Sequence, residues 1–279
     1  MAFKNANGSS INLRGLYEGA SCFFINSGPS FSKEQSEALL KRGILIFAIN
    51  NVAAVNVRPH IWMSTDQPRS FHANIWQDPT ILKLVAREYL VHKYIDEENN
   101  CLRPIRDLPN VVFFDMVTGF NHETFLKGDT VCKGNIKGKK DNLGCKGVRS
   151  TMLAAFKVLY LLGFSNVYLL GCDWKMEHDE EKGVGQKAVS YSFPQYKHQG
   201  GVLTNNIAYR YLVTRFNALH PIFQQAGMSV FNCTPGTKLT SFPLLSLDEA
   251  IERALSRMPK KVNTFGYYGG LENQNRFKW

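Results

Sequence analysis

The chain has 279 residues, 44% hydrophobic and 20% charged, so it is long enough to bury the core of one large domain or of two small ones. No apolar run approaches the ~18 residues needed to span a bilayer, and residues 1–14 contain no apolar signal-peptide core, so we expect a cytoplasmic protein with no membrane partner. The formal net charge of +10 favours a polyanionic partner.

Short apolar strands alternate with helical segments along the chain. We predict strands at about 21–26, 44–49, 61–65, 111–116, 167–172 and 228–232. We predict helices at about 33–42, 80–95, 149–162, 205–226 and 246–257, the last capped by Ser246 and the fourth kinked or broken by Pro221. This alternation is typical of a mainly parallel sheet with helices on both faces, so the expected fold class is α/β and Rossmann-like.

Polar residues follow the first three strands. The first ends in Asn26-Ser27-Gly28-Pro29-Ser30, ahead of a helix that begins near Ser32; the next two end in Asn50-Asn51 and Ser64-Thr65-Asp66. Ligands of open α/β sheets bind beyond the carboxyl ends of the strands, glycine permits close approach, and asparagine can bond a ribose or a base. We therefore predict a nucleotide-binding rim; the alternative for each run is an ordinary turn or cap.

The excess charge is confined to two segments, 127–149 and 253–279, each with a net charge of +5. The first is rich in glycine and is predicted to be a mobile loop, whereas the second mixes its charge with aromatic residues. Basic and aromatic residues together suit binding to nucleic acid, and a solvated loop and tail is the alternative. The candidate nucleic-acid contacts are Lys133, Lys137, Lys139, Lys140, Lys146, Arg149, Lys260 and Lys261.

Two further runs extend the predicted rim. Ser150 and Thr151 precede an apolar helix, where their hydroxyls can cap the helix and contact a phosphate. The strand at 167–172 ends in Gly171-Cys172-Asp173, and we assign Gly171 and Asp173 to the same site.

His198 is the candidate for acid–base chemistry. It follows Tyr191 and Tyr196 in a long segment, 174–204, that has no clear period and is typical of a lid or binding element. Histidine titrates near neutrality, as deprotonation of a hydroxyl requires, and tyrosines can donate hydrogen bonds to a leaving phosphate. A loop histidine without catalytic function is the alternative.

Several site classes lack their sequence signals. The chain has neither GxGxxG nor GxxxxGK[ST], so nicotinamide dinucleotide binding and P-loop kinase activity have little support. Its six cysteines form no CxxC pair and are expected to be reduced and largely buried. A zinc site at His122, Cys132 and Cys145 would have irregular spacing, and we assign no metal.

The polar strand ends resemble those of a known group of enzymes. Asn26-Ser27-Gly28-Pro29-Ser30, Asn50-Asn51, Ser64-Thr65-Asp66 and Tyr168-Leu169-Leu170-Gly171-Cys172-Asp173 resemble the bacterial lipooligosaccharide sialyltransferases and the related 6-hydroxymethylpterin pyrophosphokinase-like proteins, which include many phage proteins. Tyr196 with His198, and Phe231-Asn232-Cys233-Thr234-Pro235-Gly236, are similar to later motifs of that family. The resemblance covers residues 20–255; Ser27 replaces the usual glycine, and the spacing from Tyr196 to His198 is one residue short.

The resemblance implies a glycosyltransferase-type fold that uses a nucleotide-activated sugar and no metal or other cofactor. Asn26, Gly28 and Asn51 would hold the nucleotide, Tyr191 and Tyr196 the departing phosphate, and His198 would deprotonate the acceptor. The two basic segments favour DNA as the acceptor, and the phage proteins in the resembling group imply the hydroxymethylated pyrimidine (5-hydroxymethylcytosine) of phage DNA. The alternatives are a glycan acceptor, a pterin or nucleotide pyrophosphokinase that needs ATP and Mg²⁺, and a non-catalytic nucleic-acid-binding protein.

For domain organisation we predict one catalytic domain over 1–258. It carries the basic loop at 127–149 and the lid-like loop at 174–204, and a basic, aromatic tail follows at 259–279. For a phage-encoded protein, the compartment would be the host cytoplasm.

Overall fold

A nine-stranded sheet runs through the part of the protein that the computed structural model describes, namely residues 2–50, 57–68, 71, 73–96, 101–136, 138–175 and 202–258. The strands are β1 (Phe3–Lys4), β2 (Ser10–Ile11), β3 (Ser21–Ile25), β4 (Ile46–Ile49), β5 (Ile61–Ser64), β6 (Leu82–Ala86), β7 (Lys93–Asp96), β8 (Cys101–Pro104), β9 (Val111–Phe114), β10 (Met116–Val117), β11 (Val131–Cys132), β12 (Asn166–Leu170) and β13 (Ser229–Asn232). The helices are α1 (Lys33–Lys41), α2 (Ala73–Gln77), α3 (Thr151–Leu162), α4 (Val202–Gln225) and α5 (Leu247–Leu255).

The sheet is parallel except at one edge. Its strand order is β13-β12-β3-β4-β5-β6-β9-β1-β2, with β1 antiparallel to both β9 and β2. From β3 the chain builds outwards through β4, β5, β6 and β9, and it then returns to the other side of β3 with β12 and β13. The strand order therefore reverses between β3 and β12, which is where open α/β sheets bind ligands.

Both faces of the sheet are covered. Alternate residues of each strand point to opposite faces, so Phe24 and Phe47 join the core formed with α3 and α4, whereas Phe23 and Ile46 join the core formed with α1, α2 and α5. Strands buried on both faces read as continuous apolar runs, which is the pattern in this sequence. The prediction of an α/β fold with a mainly parallel sheet is confirmed.

The predicted helix at 80–95 is wrong. Its first half is β6, which is buried along its whole length and pairs with β5 and β9, and its second half contains a 3₁₀ turn at Arg87–Tyr89 and the strand β7. A short apolar run cannot be assigned to helix or strand by periodicity alone. Pairing with two neighbouring strands decides the structure of this segment.

Serine caps begin three of the helices. Ser32, Ser150 and Ser246 each accept a hydrogen bond from a backbone N–H in the first turn of α1, α3 and α5. The predicted cap of α5 by Ser246 is confirmed. Pro221 does not end α4, which continues to Gln225.

Two predicted features lie largely outside the described residues: the 174–204 segment, of which residues 176–201 are not described, and the tail at 259–279. Among the helices that the structure does describe, none combines the length and the apolar character that crossing a lipid bilayer requires.

His60 predicts a specific loss of stability in acid. Its Nδ1 accepts the Ile46 N–H at 3.1 Å, and burial, together with Arg58, lowers its pKa to about 4. In the unfolded chain His60 takes up a proton as pH falls below 6.5, whereas in the folded chain it does so only near pH 4. The contribution of neutral His60 to folding stability is therefore complete above pH 6.5 and is lost as pH falls towards 4. Because part of the ring reaches solvent, we expect a loss of roughly 2 kcal/mol.

The variant His60→Asn tests this expectation, since its amide oxygen can accept the same hydrogen bond and does not titrate. We measure the free energy of unfolding in urea at pH 7 and at pH 4. Between these pH values the variant should lose roughly 2 kcal/mol less than the wild type. Equal losses in both proteins would contradict the assignment.

Candidate functional site

The carboxyl ends of five parallel strands bring the predicted polar residues to one edge of the sheet. We call this edge the carboxyl rim and define it by the residues at or just after the carboxyl ends of β3, β4, β5, β6 and β12, namely residues 26–30, 50, 64–66, 87–89 and 171–173. The runs predicted from separate parts of the chain therefore share this edge. Asn51, also predicted here, lies outside the described residues.

The ends of β3 and β12 are bound directly to each other. The Gly28 N–H donates to the Gly171 carbonyl at 2.9 Å, and the Asp173 carboxylate accepts the Ser30 hydroxyl at 2.8 Å. A Cβ on Gly28 would lie 2.3 Å from the Gly171 carbonyl oxygen and 2.0 Å from Oδ2 of Asp173, so only glycine fits. These four residues were predicted to contact a nucleotide; in the structure their observed contacts join two loops of the protein.

Asn26 is held at the same junction. Its Nδ2 donates to Cys172 Sγ at 3.1 Å, and the Cys172 N–H donates to the Thr234 hydroxyl at 3.0 Å. Burial raises the pKa of the Cys172 thiol well above its ordinary value, so the thiol stays neutral. In the adjoining turn Ser27 is half-buried and Pro29 is exposed.

Gly28→Ala is expected to separate the two strand ends. The added methyl overlaps the Gly171 carbonyl and the Asp173 carboxylate, so these groups must move away, which costs about 1–3 kcal/mol of folding free energy. Under the function proposed below, it also abolishes binding of the nucleotide donor, which calorimetry measures.

Gly227→Ala is the matched control. Gly227 has a φ of +80° but open space around its Cβ position, so the variant loses about 1–2 kcal/mol through backbone strain and keeps donor affinity. Normal donor binding by Gly28→Ala would contradict the role of this junction.

A chain of short side chains connects the middle of the carboxyl rim. The Ser64 hydroxyl donates to Asn50 Oδ1 at 3.2 Å and accepts the Asp66 N–H at 3.1 Å. Thr65 Oγ1 and Thr151 Oγ1 are hydrogen-bonded at 2.8 Å. This last contact brings the first turn of α3 to the end of β5.

The first turn of α3 presents backbone donors at this position. The Ser150 side chain accepts the Leu153 N–H, and the first intrahelical bond runs from the Ala154 N–H to the Ser150 carbonyl. The N–H groups of Thr151 and Met152 come before this bond and therefore have no carbonyl partner within the helix. Such groups, with the partial positive charge of the helix terminus, favour anions.

Charged residues surround the end of β5. Lys133 is 7% exposed and donates from Nζ to the Thr65 carbonyl at 2.9 Å. Asp66 is exposed, yet partial loss of water contact raises the pKa of its carboxyl group. The charge of Glu88 adds to this rise, and the charge of Lys133 opposes it. The Tyr89 hydroxyl donates to the same Thr65 carbonyl at 3.2 Å, and loss of water contact raises its pKa to about 12.

Glu88 and Tyr89 belong to the carboxyl rim and were not predicted from the sequence. They directly follow β6, which was assigned to a helix, so their position at a strand end went unrecognised. The signal that identifies them is the apolar run Leu82–Ala86 ending in Arg87-Glu88-Tyr89.

The segment 127–149, predicted to be a mobile loop, contains regular structure. It includes β11, and isolated bridges pair Gly134 with Arg149 and Lys140 with Lys146. We call its part from 138 to 149 the basic hairpin. Arg215 of α4 binds this hairpin through Asp141, with Nε to Oδ2 at 2.7 Å and both side chains 0% exposed.

The predicted nucleic-acid contacts divide into three groups. Lys139, Lys140, Lys146 and Arg149 are exposed on the basic hairpin. Lys133 differs from the prediction, because it is buried and its ammonium bonds the Thr65 carbonyl at the end of β5, so it is not exposed on the surface of the basic hairpin. The remaining three, Lys137, Lys260 and Lys261, lie outside the described residues.

The predicted catalytic residues Tyr191, Tyr196 and His198 also lie outside the described residues. Within the described ranges, no group of three or more His, Cys, Asp and Glu side chains is arranged to hold a metal ion, and His122, Cys132 and Cys145 belong to no such group. The predicted burial of the cysteines is confirmed for five of the six, Cys22, Cys132, Cys145, Cys172 and Cys233, whereas Cys101 is exposed.

Comparison of the chain with protein-family models, with curated protein sequences and with solved structures found no match.

Proposed function

We propose that this chain is a glycosyltransferase that moves a sugar from a nucleotide-activated donor to a hydroxyl acceptor. The observation that carries the proposal is the carboxyl rim, where the strand order reverses and where Asn26, residues 64–66 and the first turn of α3 meet one edge of the sheet. Nucleotide-type ligands bind at such positions in doubly wound sheets. The resemblance of the strand-end motifs to the lipooligosaccharide sialyltransferases favours sugar transfer among the reactions such a site performs.

The donor's nucleotide would lie along the carboxyl rim. Asn26 is fixed there by its bond to Cys172 Sγ, and Asn50 by its bond from Ser64, so both amides are positioned before a ligand arrives. The first-turn N–H groups of α3 supply neutral donors to a phosphate without the side-chain entropy cost of a long cation.

The chemistry requires a base and a stabilised leaving group. His198 removes the proton of the acceptor hydroxyl, whose oxygen attacks the anomeric carbon as the bond from that carbon to the phosphate oxygen breaks. Tyr191 and Tyr196 donate hydrogen bonds to the departing phosphate, on which negative charge develops. These three roles rest on residue type and on the family resemblance, and they require no metal or other cofactor.

The proposed acceptor is DNA that carries a hydroxymethylated pyrimidine: the charge distribution favours DNA, and the resemblance to phage proteins favours the hydroxymethylated base. Lys139, Lys140 and Lys146 are exposed on the basic hairpin, which ends at Arg149, directly before the α3 cap Ser150. Lysine and arginine that bind phosphates release condensed counterions, which favours binding of DNA to the hairpin. Because the hairpin ends beside the first turn of α3, a strand bound to it would pass close to the carboxyl rim. A target base can be extruded from the duplex to reach an active site.

The test combines pooled nucleotide-sugars with DNA containing 5-hydroxymethylcytosine or with unmodified DNA, followed by digestion to nucleosides and mass spectrometry. A pentose or hexose mass added only to the hydroxymethylated base is the expected result. No adduct, with donor binding intact, would overturn the DNA acceptor and leave a glycan as the alternative.

The other two alternatives give different outcomes. A pyrophosphokinase consumes ATP in the presence of a pterin and loses activity when Mg²⁺ is chelated. A non-catalytic nucleic-acid-binding protein retains DNA with a strong salt dependence and turns over no donor.

A further inference from the structure

We infer that Lys133, together with the first turn of α3, binds a phosphate group of the nucleotide donor. This inference rests on the function proposed above and names the cation of that same site. The ligand class is a nucleoside monophosphate or diphosphate, free or as the leaving portion of an activated sugar.

Lys133 differs from the two other buried lysines in the described part of the chain. Lys83 donates to three carbonyl oxygens, those of Asp78, Ile81 and Pro109, at 2.7–3.0 Å. Lys157 donates to the carbonyls of Lys127 and Gly128 and lies over the ring of Tyr160. Lys133 has one such bond, to the Thr65 carbonyl at 2.9 Å, although it is 93% buried.

An ammonium group carries three hydrogen-bond donors, and burying it without partners is costly. Within the described residues, Lys133 therefore keeps two N–H groups beyond the one that Thr65 uses. Burial lowers the pKa of Lys133, and the nearby carboxylates of Asp66 and Glu88 oppose this decrease. Neither carboxylate forms an ion pair with the ammonium. A bound phosphate oxygen would supply the missing acceptors at this buried position.

The position of Lys133 is fixed from both ends. Its carbonyl accepts the Ser150 N–H at 2.8 Å, which ties its backbone to the cap of α3, and its ammonium reaches Thr65, whose hydroxyl bonds Thr151. The ammonium and the first turn of α3 therefore both lie at the end of β5. A cation and free helix N–H groups at one place form an anion site that neither forms alone.

Two carboxylates and one further cation complete the surroundings. Lys133 and Arg149, which is exposed beside Ser150, balance the charges of Asp66 and Glu88, so the net attraction for an anion comes from the first-turn N–H groups of α3. The carboxylates suit the hydroxyls of a ribose, which favours a nucleotide over inorganic phosphate.

The experiment compares a nucleotide with its own nucleoside in two proteins. Calorimetry measures the affinities of wild type and Lys133→Met for uridine diphosphate, cytidine monophosphate, uridine and cytidine. A hydrogen bond to a charged group contributes ~1.5–3 kcal/mol, so the variant should lose ~10–150-fold in nucleotide affinity and keep its nucleoside affinity. Lys41→Met, which removes one exposed positive charge from α1, is the control for net charge and should change neither.

The outcomes separate the two proposals. Equal losses for nucleotide and nucleoside would mean that Lys133 is only structural, and no loss for either would mean that it does not touch phosphate; both overturn this inference and leave the proposed function standing. A wild type that binds none of the four ligands overturns both. If Lys133→Met does not fold, Lys133→Arg, which keeps the charge, should retain more nucleotide affinity than Lys133→Gln.

Discussion

The His198→Ala variant is expected to bind the nucleotide donor as the wild type does and to transfer sugar ~10²–10⁴-fold more slowly, which is the usual contribution of a positioned general base. Without the imidazole, the acceptor hydroxyl must lose its proton to water during attack on the anomeric carbon. Donor affinity is unaffected because the proposed nucleotide contacts lie on the carboxyl rim. Rates of adduct formation and calorimetric donor affinity are measured side by side.

The control for this variant is His122→Ala. His122 contacts Asn142 of the basic hairpin but takes no part in the proposed chemical step, so with donor and DNA saturating its removal should leave the transfer rate unchanged. Added imidazole should restore part of the activity of His198→Ala. A transfer rate for His198→Ala equal to that of the wild type would remove His198 as the base.

The Arg215→Met variant is expected to lose ~3–5 kcal/mol of folding free energy, because it leaves the carboxylate of Asp141 buried without its charged partner. Arg215 also donates to the Val148 carbonyl at 2.8 Å and lies over the ring of Phe120. Methionine fills similar volume but can replace none of these polar contacts. Urea unfolding measures the loss.

Arg14→Met is the matched control for Arg215→Met. Arg14 forms an exposed ion pair with Asp129 at 2.7 Å, and such pairs contribute at most about 1 kcal/mol. The double variant Arg215→Met with Asp141→Asn should recover part of the loss, because it removes the unpaired buried charge. A loss below ~1 kcal/mol for Arg215→Met alone would show that the buried pair does not hold the basic hairpin.

The strand ends could be predicted because their signal is local. A strand buried on both faces needs an unbroken apolar run, and the run ends where the chain reaches the polar edge of the sheet, as Ile25 followed by Asn26 shows. Helix caps are equally local, since Ser150 and Ser246 bond N–H groups only three residues ahead. The prediction for β6 was wrong because it also rested on a local signal, and an apolar run of that length is compatible with a helix as well as a strand.

Contacts between distant residues could not be predicted. Nothing near Lys133 in the sequence distinguishes it from Lys139 or Lys146, yet its ammonium bonds a carbonyl 68 residues away. Arg215 and Asp141 are 74 positions apart, and their pairing binds the basic hairpin to α4. Gly28 is required because Gly171 and Asp173 occupy the space of its Cβ, which no local pattern encodes.

The sequence by itself therefore determined the α/β class, the parallel strands and the polar edge where they end, since each follows from the alternation of apolar and polar residues over a few positions. Only the tertiary structure decided which of the edge residues bind one another and which lysine is buried among them. Those outcomes depend on the order of strands in the sheet, and that order is set by the combined packing of both apolar faces.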